Sequence, residues 1–449
     1  MMEELKKIPQ IGKFLLRKEF DTINKISLQK IINNFFSKLK DGAKKGLAIN
    51  QSQDEMAKEV LEMLDNIAEN SLKPIVNATG VVLHTNLGRA PIDKEIIGEA
   101  EKIAGYSNLE FDLKTGKRGE RYSHLGEKLS FLLGCEDAIV VNNNAAAVFL
   151  VLNTFSKNKN TLVSRGELVE IGGSFRVPDV MRESGALLKE IGTTNKTKIS
   201  DYENGIDENT AILMKVHKSN FSIVGFCEET DFLDITALAA KKGLVDYFDV
   251  GSLALKKYDF IGDEPSAEEI FSNNPSLVSF SGDKLFGSVQ AGIIAGKKEL
   301  IEKIKKNQLL RMLRVDKFTL AILEATVSRY IVSGEKKIKT LRLLSKTKEQ
   351  MHKEAATLLY LLGNNPIFKI KEGETFVGGG SLPGHKIPTV CIIVEDQAKK
   401  AEANLKALRE YGIIGRIESD AVVIDLKSVD EDELRIIAEG LNKIFGTRQ

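Results

Sequence analysis

Cysteine is scarce: Cys135, Cys227 and Cys391 are the only three in 449 residues. They are too few and too scattered to frame a disulfide scaffold or a zinc site, so they read as buried thiols in a reducing compartment, and no metal site is expected. No apolar h-region opens the chain and no run approaches the length of a membrane span. The expected location is the cytoplasm, with no membrane partner. Charge of one sign is also missing, since 64 basic residues face 63 acidic ones. No overall field is available to draw in DNA, and any contact with nucleic acid must use a local patch. What remains is an ordinary globular composition, 42% hydrophobic and 28% charged, in a chain long enough for two or three domains.

Residues 1–70 read as a helical domain. Ile11, Phe14 and Leu15, then Ile31, Ile32, Phe35, Phe36 and Leu39, and finally Met56, Val60, Leu61, Leu64 and Ile67 recur at helical spacing. Through residue 50 there are 11 Lys/Arg against 5 Asp/Glu. That excess, which includes Lys13, Arg17, Lys18 and Lys38, is either the solvated face of a small bundle or a surface for a phosphate backbone.

After Pro74 the texture changes. Residues 75–91 mix short apolar stretches with glycine and polar residues, which suits a segment crossing a cleft better than a packing strand. His84 reads as a core histidine or a site residue, and Arg89 stands between Gly88 and Ala90 as an anion-binding arginine would. Lys114, Lys117, Arg118, Arg121 and His124 form the densest short cationic cluster. From residue 125 strands and helices alternate, with strands expected at 138–141, 161–164, 186–191, 211–216, 244–250, 277–280 and 292–295. This pattern predicts a mainly parallel, buried sheet. Further on, helices are expected at 317–334, to about 362, at 396–411 and at 430–445, strands at 389–394 and 421–425, and a loop at 378–384.

Three strand ends carry chemistry. Asn142, Asn143, Asn144 and Ala145 follow the first strand into a helix, forming either a cradle of free amides for a phosphate or a plain asparagine cap. Asp249 ends another strand, where a carboxylate faces the ligand crevice of a parallel sheet and can keep a pyridine nitrogen protonated. His217, Ser219 and Asn220 end the strand before it. Lys284 sits in Ser281-Gly282-Asp283-Lys284, on a tight loop between two buried strands. A partly desolvated lysine has a lowered pKa and forms a Schiff base with an aldehyde cofactor. Pyridoxal 5'-phosphate needs this set of groups; the competing reading is a nucleotide-binding α/β domain.

Longer motifs add a resemblance. The chain resembles bacterial selenocysteine synthase, the L-seryl-tRNA(Sec) selenium transferase family, in Asn77-Ala78-Thr79-Gly80 through Asn86-Leu87-Gly88-Arg89-Ala90-Pro91, Tyr106-Ser107-Asn108-Leu109-Glu110, and Ser164-Arg165-Gly166-Glu167 through Gly172-Gly173-Ser174-Phe175-Arg176-Val177-Pro178. Gly192-Thr193-Thr194-Asn195, Val216-His217-Lys218-Ser219-Asn220-Phe221, Ser281-Gly282-Asp283-Lys284, Leu310-Arg311-Met312-Leu313-Arg314-Val315-Asp316-Lys317 and Gly378-Gly379-Gly380-Ser381-Leu382-Pro383-Gly384 continue it. The family often has a second glycine where Leu253 stands, and glycine and proline where Ser288 and Val289 stand.

The resemblance implies an α/β enzyme of the aspartate-aminotransferase-like fold (fold type I). It would comprise a tRNA-binding helical domain at 1–70, a cofactor-binding large catalytic domain at 71–320 and a small α+β domain at 321–449. It implies conversion of seryl-tRNA(Sec) to selenocysteinyl-tRNA(Sec) with selenophosphate, by β-elimination to aminoacrylyl-tRNA followed by selenium addition. Lys284 would be the Schiff-base lysine, and Asp249 would hold the ring nitrogen. Asn143, Asn144, Ala145, Ser281 and His217 would complete the cofactor site. Arg89, Arg311 and Arg314 would bind the donor anion, while Lys13, Arg17, Lys18, Lys38 and Arg118 would meet tRNA. A homo-oligomer, with dimers closing into a ring (a decamer in the bacterial family), would use Thr193, Thr194 and Asp201. Two alternatives stand beside this: a lyase acting on a free amino acid such as cysteine or cystathionine, and a non-catalytic tRNA-binding protein on the same fold.

Overall fold

Seven strands form the central sheet: β1 (Asp137–Val141), β2 (Asn160–Ser164), β3 (Leu187–Ile191), β4 (Thr210–Val216), β5 (Val245–Gly251), β6 (Leu277–Ser281) and β7 (Gly292–Gly296). Their spatial order is β1-β7-β6-β5-β4-β2-β3. The structure is a computed structural model that describes residues 2–171, 175–219, 221–395 and 400–446. Residues 172–174 and Asn220 of the motifs, and the start of the helix expected at 396–411, lie outside the described residues.

Only β7 runs against its neighbours, β1 and β6; the other pairs are parallel. Successive side chains enter opposite cores, as the pleat requires. In β1, Ala138 and Val140 join Leu125 and Leu129 on one face, while Ile139 and Val141 join Val148 and Val151 on the other. Helices Ser123–Leu133, Phe232–Lys242 and Lys317–Ser333 cover the first face; Asn144–Phe155, Val177–Glu183 and Lys298–Lys305 cover the second. Burial on both sides is why most of these strands read as apolar runs, while β3, at the sheet edge, leaves Leu187 exposed and carries Lys189 and Glu190.

A second, antiparallel sheet follows, made of β8 (Phe368–Gly378), β9 (Ser381–Val394), β10 (Arg416–Glu418) and β11 (Ala421–Asp425), in the order β8-β9-β11-β10. Helices Lys348–Leu361, Ala401–Glu410 and Leu434–Phe445 pack on it through Met351, Leu358, Leu408, Ile437 and Leu441. The expected loop at 378–384 is instead the β8–β9 turn and the opening of β9. β8 gives no apolar signal because it is an edge strand with exposed Lys369, Lys371 and Glu372.

The segment expected to cross a cleft begins as a packing strand. Val76 and Asn77 pair in parallel with Ile413 and Ile414, and Val76 and Ala78 enter the core of the small sheet. Gly80 has φ +88°, and a Cβ there would stand 2.4 Å from the Asp425 carboxylate. Only glycine satisfies both constraints. Beyond it, Val82 and Leu83 join the large core. Leu253 and Ser288, the departures from the family pattern, are buried, with Leu253 in the apolar core and Ser288 hydrogen-bonded to Thr326 Oγ1 (2.8 Å).

The chain divides into two compact units, Met1–Pro74 and Ile75–Gln449. In the first, helices Lys25–Lys44 and Gln53–Ala68 enclose Phe14, Phe20, Ile32, Phe36, Met56 and Val60. Asn24 caps the first helix, and a Ser52–Glu55 capping box starts the second. Among the described residues no helix is long and apolar enough to cross a membrane.

Candidate active site

The C-terminal ends of β4, β5 and β6 and the start of helix Asn144–Phe155 converge on a cavity of about 210 Å³. Its walls bring together Lys284, Asp249, His217, Ser281, Asn143, Asn144 and Ala145, every residue expected to contact the cofactor. Arg89, from the segment before the sheet, lines it as well.

Lys284 follows β6 in a turn closed by Gly287 N to Lys284 O (2.8 Å) and Ser288 N to Gly282 O (2.8 Å). Gly287 supplies positive φ (+71°), whereas Gly282 is needed for close approach, since a Cβ there would lie 2.7 Å from Val289 O. Burial, and then the nearby Arg89 guanidinium, lower the Lys284 pKa to about 8, with Asp249 and Asp283 opposing them. Asp249 is buried and its carboxyl is pushed above the usual range by desolvation, against the Asn144 amide, Lys284 and His217. Asn144 Nδ2 donates to Asp249 Oδ1 at 2.7 Å.

Asn143 is the helix cap, its side chain accepting from Ala146 N (2.8 Å). The cap and the cradle coexist, because the amides of Asn144 and Ala145 in the first turn have no intrahelical carbonyl. Gly292 lets β7 pass this corner, where a Cβ would stand 2.2 Å from Asn143 O.

Arg89 adopts φ +62°, uncommon for a side-chain-bearing residue and typical of functional corners. Its Nη1 donates to Gly379 O in the β8–β9 turn (3.0 Å), and its Nε lies 3.8 Å from Asp283 Oδ2. His84 is half-buried rather than a core histidine, and its Nδ1 accepts from Asn86 N (3.2 Å), capping the turn that precedes Arg89.

The three expected donor-anion arginines do not meet within one chain. Arg311 and Arg314 line a separate cleft with Arg118, Arg121 and Glu110. Glu110 Oε1 lies 3.1 Å from Arg121 and 3.6 Å from Arg314, and its Oε2 lies 3.2 Å from Arg118, so the cationic cluster is partly neutralised. The i, i+3 spacing did not place Arg311 and Arg314 together on one helix face, because the helix ends at Leu313 and Arg314 is already extended (ψ 141°). Of the expected tRNA contacts in the first unit, Lys13, Lys18 and Lys38 are exposed without ion pairs among the described residues, whereas Arg17 is held by Glu19 (2.7 Å) and Asp54 (2.5 Å). Thr193 and Asp201 are engaged locally: Thr193 Oγ1 donates to Lys196 O, and Asp201 accepts from Lys198 N.

Sequence reasoning did not single out Asp283, Gln290 or Val177 as lining residues. Asp283 was legible as the neighbour of Lys284; Gln290 and Val177 carry no local signal.

Pyridoxal phosphate fits this donor set. The cavity offers an amine easily deprotonated, a buried carboxylate and a helix start. It also has two buried polar atoms without partners among the described residues, Asn144 Oδ1 and His217 Nδ1. Unpaired buried polar atoms are rare and call for a ligand or water.

Residues 75–430 match the family described as L-seryl-tRNA selenium transferase. The chain is 50% identical over 449 residues to the L-seryl-tRNA(Sec) selenium transferase of Nautilia profundicola, covering 99% of this chain and 98% of that protein. It is 49% identical over 447 residues to that of Aliarcobacter butzleri, with 99% of each chain covered. Among solved structures, D-glucosaminate-6-phosphate ammonia-lyase superposes with a TM-score of 0.59 at 18% identity, over 85% of this chain and 97% of that one. This is the fold of the type I pyridoxal-phosphate enzymes, as the motifs implied.

Proposed function

The chain belongs to the L-seryl-tRNA selenium transferase family, and from that premise we propose that it converts L-seryl-tRNA(Sec) to L-selenocysteinyl-tRNA(Sec), with selenophosphate as selenium donor. Its cofactor is pyridoxal 5'-phosphate. The observation that carries the reading is one cavity holding Lys284, its pKa lowered to about 8, with the buried Asp249. Bound there, the cofactor supplies an electron sink that lets the seryl Cα lose its proton and the β-hydroxyl depart.

The chain's own residues do the rest. Lys284, readily neutral near pH 8, would bind the cofactor aldehyde and, once the seryl amine has displaced it there, would take and return the proton at the seryl Cα. Asp249 holds the cofactor's protonated ring nitrogen, whose positive charge offsets the burial that otherwise raises this carboxyl. Asn144 keeps Asp249 in place through the 2.7 Å bond. Ser281 and the amides of Asn144 and Ala145 hold the phosphate, with the helix start contributing its positive end.

An aminoacyl ester has no free α-carboxylate, so Arg89 is available for an oxyanion donor. Arg311 and Arg314 belong to the same donor reading, from the separate cleft that they line. Lys13, Lys18 and Lys38 suit tRNA phosphates, and the family likeness supports a cytoplasmic enzyme. Assembly into dimers and a ring belongs to the same family reading.

The test is to incubate the holoenzyme with serylated tRNA and labelled selenophosphate, and separately with free serine or cysteine. Label on the tRNA-borne amino acid is expected. Turnover of the free amino acids without any labelling of tRNA would overturn the reading in favour of a lyase.

A further inference from the structure

His217 is almost fully constrained. Its amide donates to Asp249 O (2.9 Å) at the end of β4, and its ring meets Phe248 edge-on, with centroids 6.4 Å apart and planes at 66°. Its position is set by backbone and packing, but its tautomer and the plane of its polar atoms are not. Glu264 supplies what is missing, with Oε2 2.6 Å from His217 Nε2.

Glu264 lies on the connection between β5 and β6, and this stretch is tied down. Its amide donates to Ile261 O (3.1 Å), and Lys257 Nζ donates to its carbonyl (2.7 Å). Gly262, at φ +56°, packs so close to the His385 ring of β9 that a Cβ would come within 3.1 Å. The carboxylate is therefore presented from a fixed loop, braced by the small sheet. On the other side of the imidazole, Nδ1 is buried and has no partner among the described residues. When Nε2–H is donated to a carboxylate, the opposite nitrogen is fixed as an acceptor in the neutral ring and a donor in the charged one. A carboxylate behind a functional histidine sets ring orientation in this way.

We infer that Glu264 is a positioning residue: through His217 Nε2 it fixes the imidazole so that Nδ1 is kept for the molecule bound in the Lys284 cavity. This rests on the reading of His217 as a cofactor contact. No sequence pattern points to Glu264; only the fold brings it to His217.

The test uses full-length protein freed of cofactor, with pyridoxal phosphate added back and followed by absorbance. Glu264→Ala weakens cofactor affinity roughly tenfold, the scale of one charge-assisted hydrogen bond. It also moves the bound cofactor's absorption band in the same direction as His217→Ala. Glu264→Gln, which keeps an acceptor for Nε2–H, restores most of the affinity. The double variant Glu264→Ala, His217→Ala is no weaker than His217→Ala, because the two act as one unit. Circular dichroism and melting of the cofactor-free variants match the parent.

If Glu264→Ala leaves affinity and band unchanged while His217→Ala alters both, the inference fails and the cofactor reading stands. Additive losses in the double variant also overturn the inference. If His217→Ala changes neither quantity, the reading of His217 itself falls.

Discussion

Lys284 should make the cofactor-free protein less stable than it could be. Its pKa is lowered from 10.5 to about 8 because the ammonium is desolvated and faces Arg89. That difference corresponds to about 3 kcal/mol by which the native state disfavours the proton relative to the unfolded chain. Below pH 8 both states are protonated and the whole cost is present. Between pH 8 and 10.5 the unfolded chain still holds a proton that the native state has released, so stability rises with pH. Above 10.5 the cost is gone.

Lys284→Met keeps similar bulk without the charge. The expected result is a cofactor-free variant more stable than the parent by about 3 kcal/mol at pH 7, with that advantage shrinking as pH passes from 8 to 10.5. Urea unfolding of both proteins at several pH values, at one fixed chain concentration because assembly shifts apparent stability, measures the gap and cancels titrations common to both. A gap that does not change with pH, or a less stable variant, would refute the reasoning. The same variant should show no absorbance band from lysine-bound cofactor.

Asn144→Ala removes the donor to a buried carboxylate, and cofactor affinity should fall roughly 10- to 100-fold, read by absorbance titration. Arg89→Ala should spare loss of the seryl hydroxyl and block selenium incorporation, measured by scoring dehydrated and selenylated aminoacyl-tRNA separately; normal incorporation would remove Arg89 from the donor site. Replacing Lys13, Lys18 and Lys38 with alanine should weaken tRNA binding and flatten its dependence on log salt by roughly 2 to 3. Arg17→Ala, by contrast, should act mainly through the lost contacts to Glu19 and Asp54.

The central sheet was legible because β1, β2 and β4 to β7 are largely buried on both faces, which leaves apolar runs, whereas β3 is a half-exposed edge strand. Lys284, Asp249 and Asn143 were legible for a related reason: each stands where such a run stops. Legibility ended where partners are distant or polar. β8 hides behind its lysines and glutamates, and Glu264 reaches His217 only through a loop. The pairing of Val76 with Ile413 has no local trace. That Arg311 and Arg314 do not share a helix face follows from a helix that stops at Leu313, and helix boundaries are among the least certain features of a sequence. Arg17 shows the converse case, a cation in a basic stretch whose charge is spent on its own unit.

The pairing of Val76 and Asn77 with Ile413 and Ile414 also has a consequence during synthesis. A ribosome adding about 5–20 residues per second releases residues 75–80 tens of seconds before their partners emerge. Until then Val76 and Ala78 remain uncovered on the nascent chain, and the neighbourhood of Arg89 lacks the β8–β9 turn that holds it. A message cut short before Ile413 would therefore leave an apolar stretch without its mate, a natural handle for chaperones and proteases.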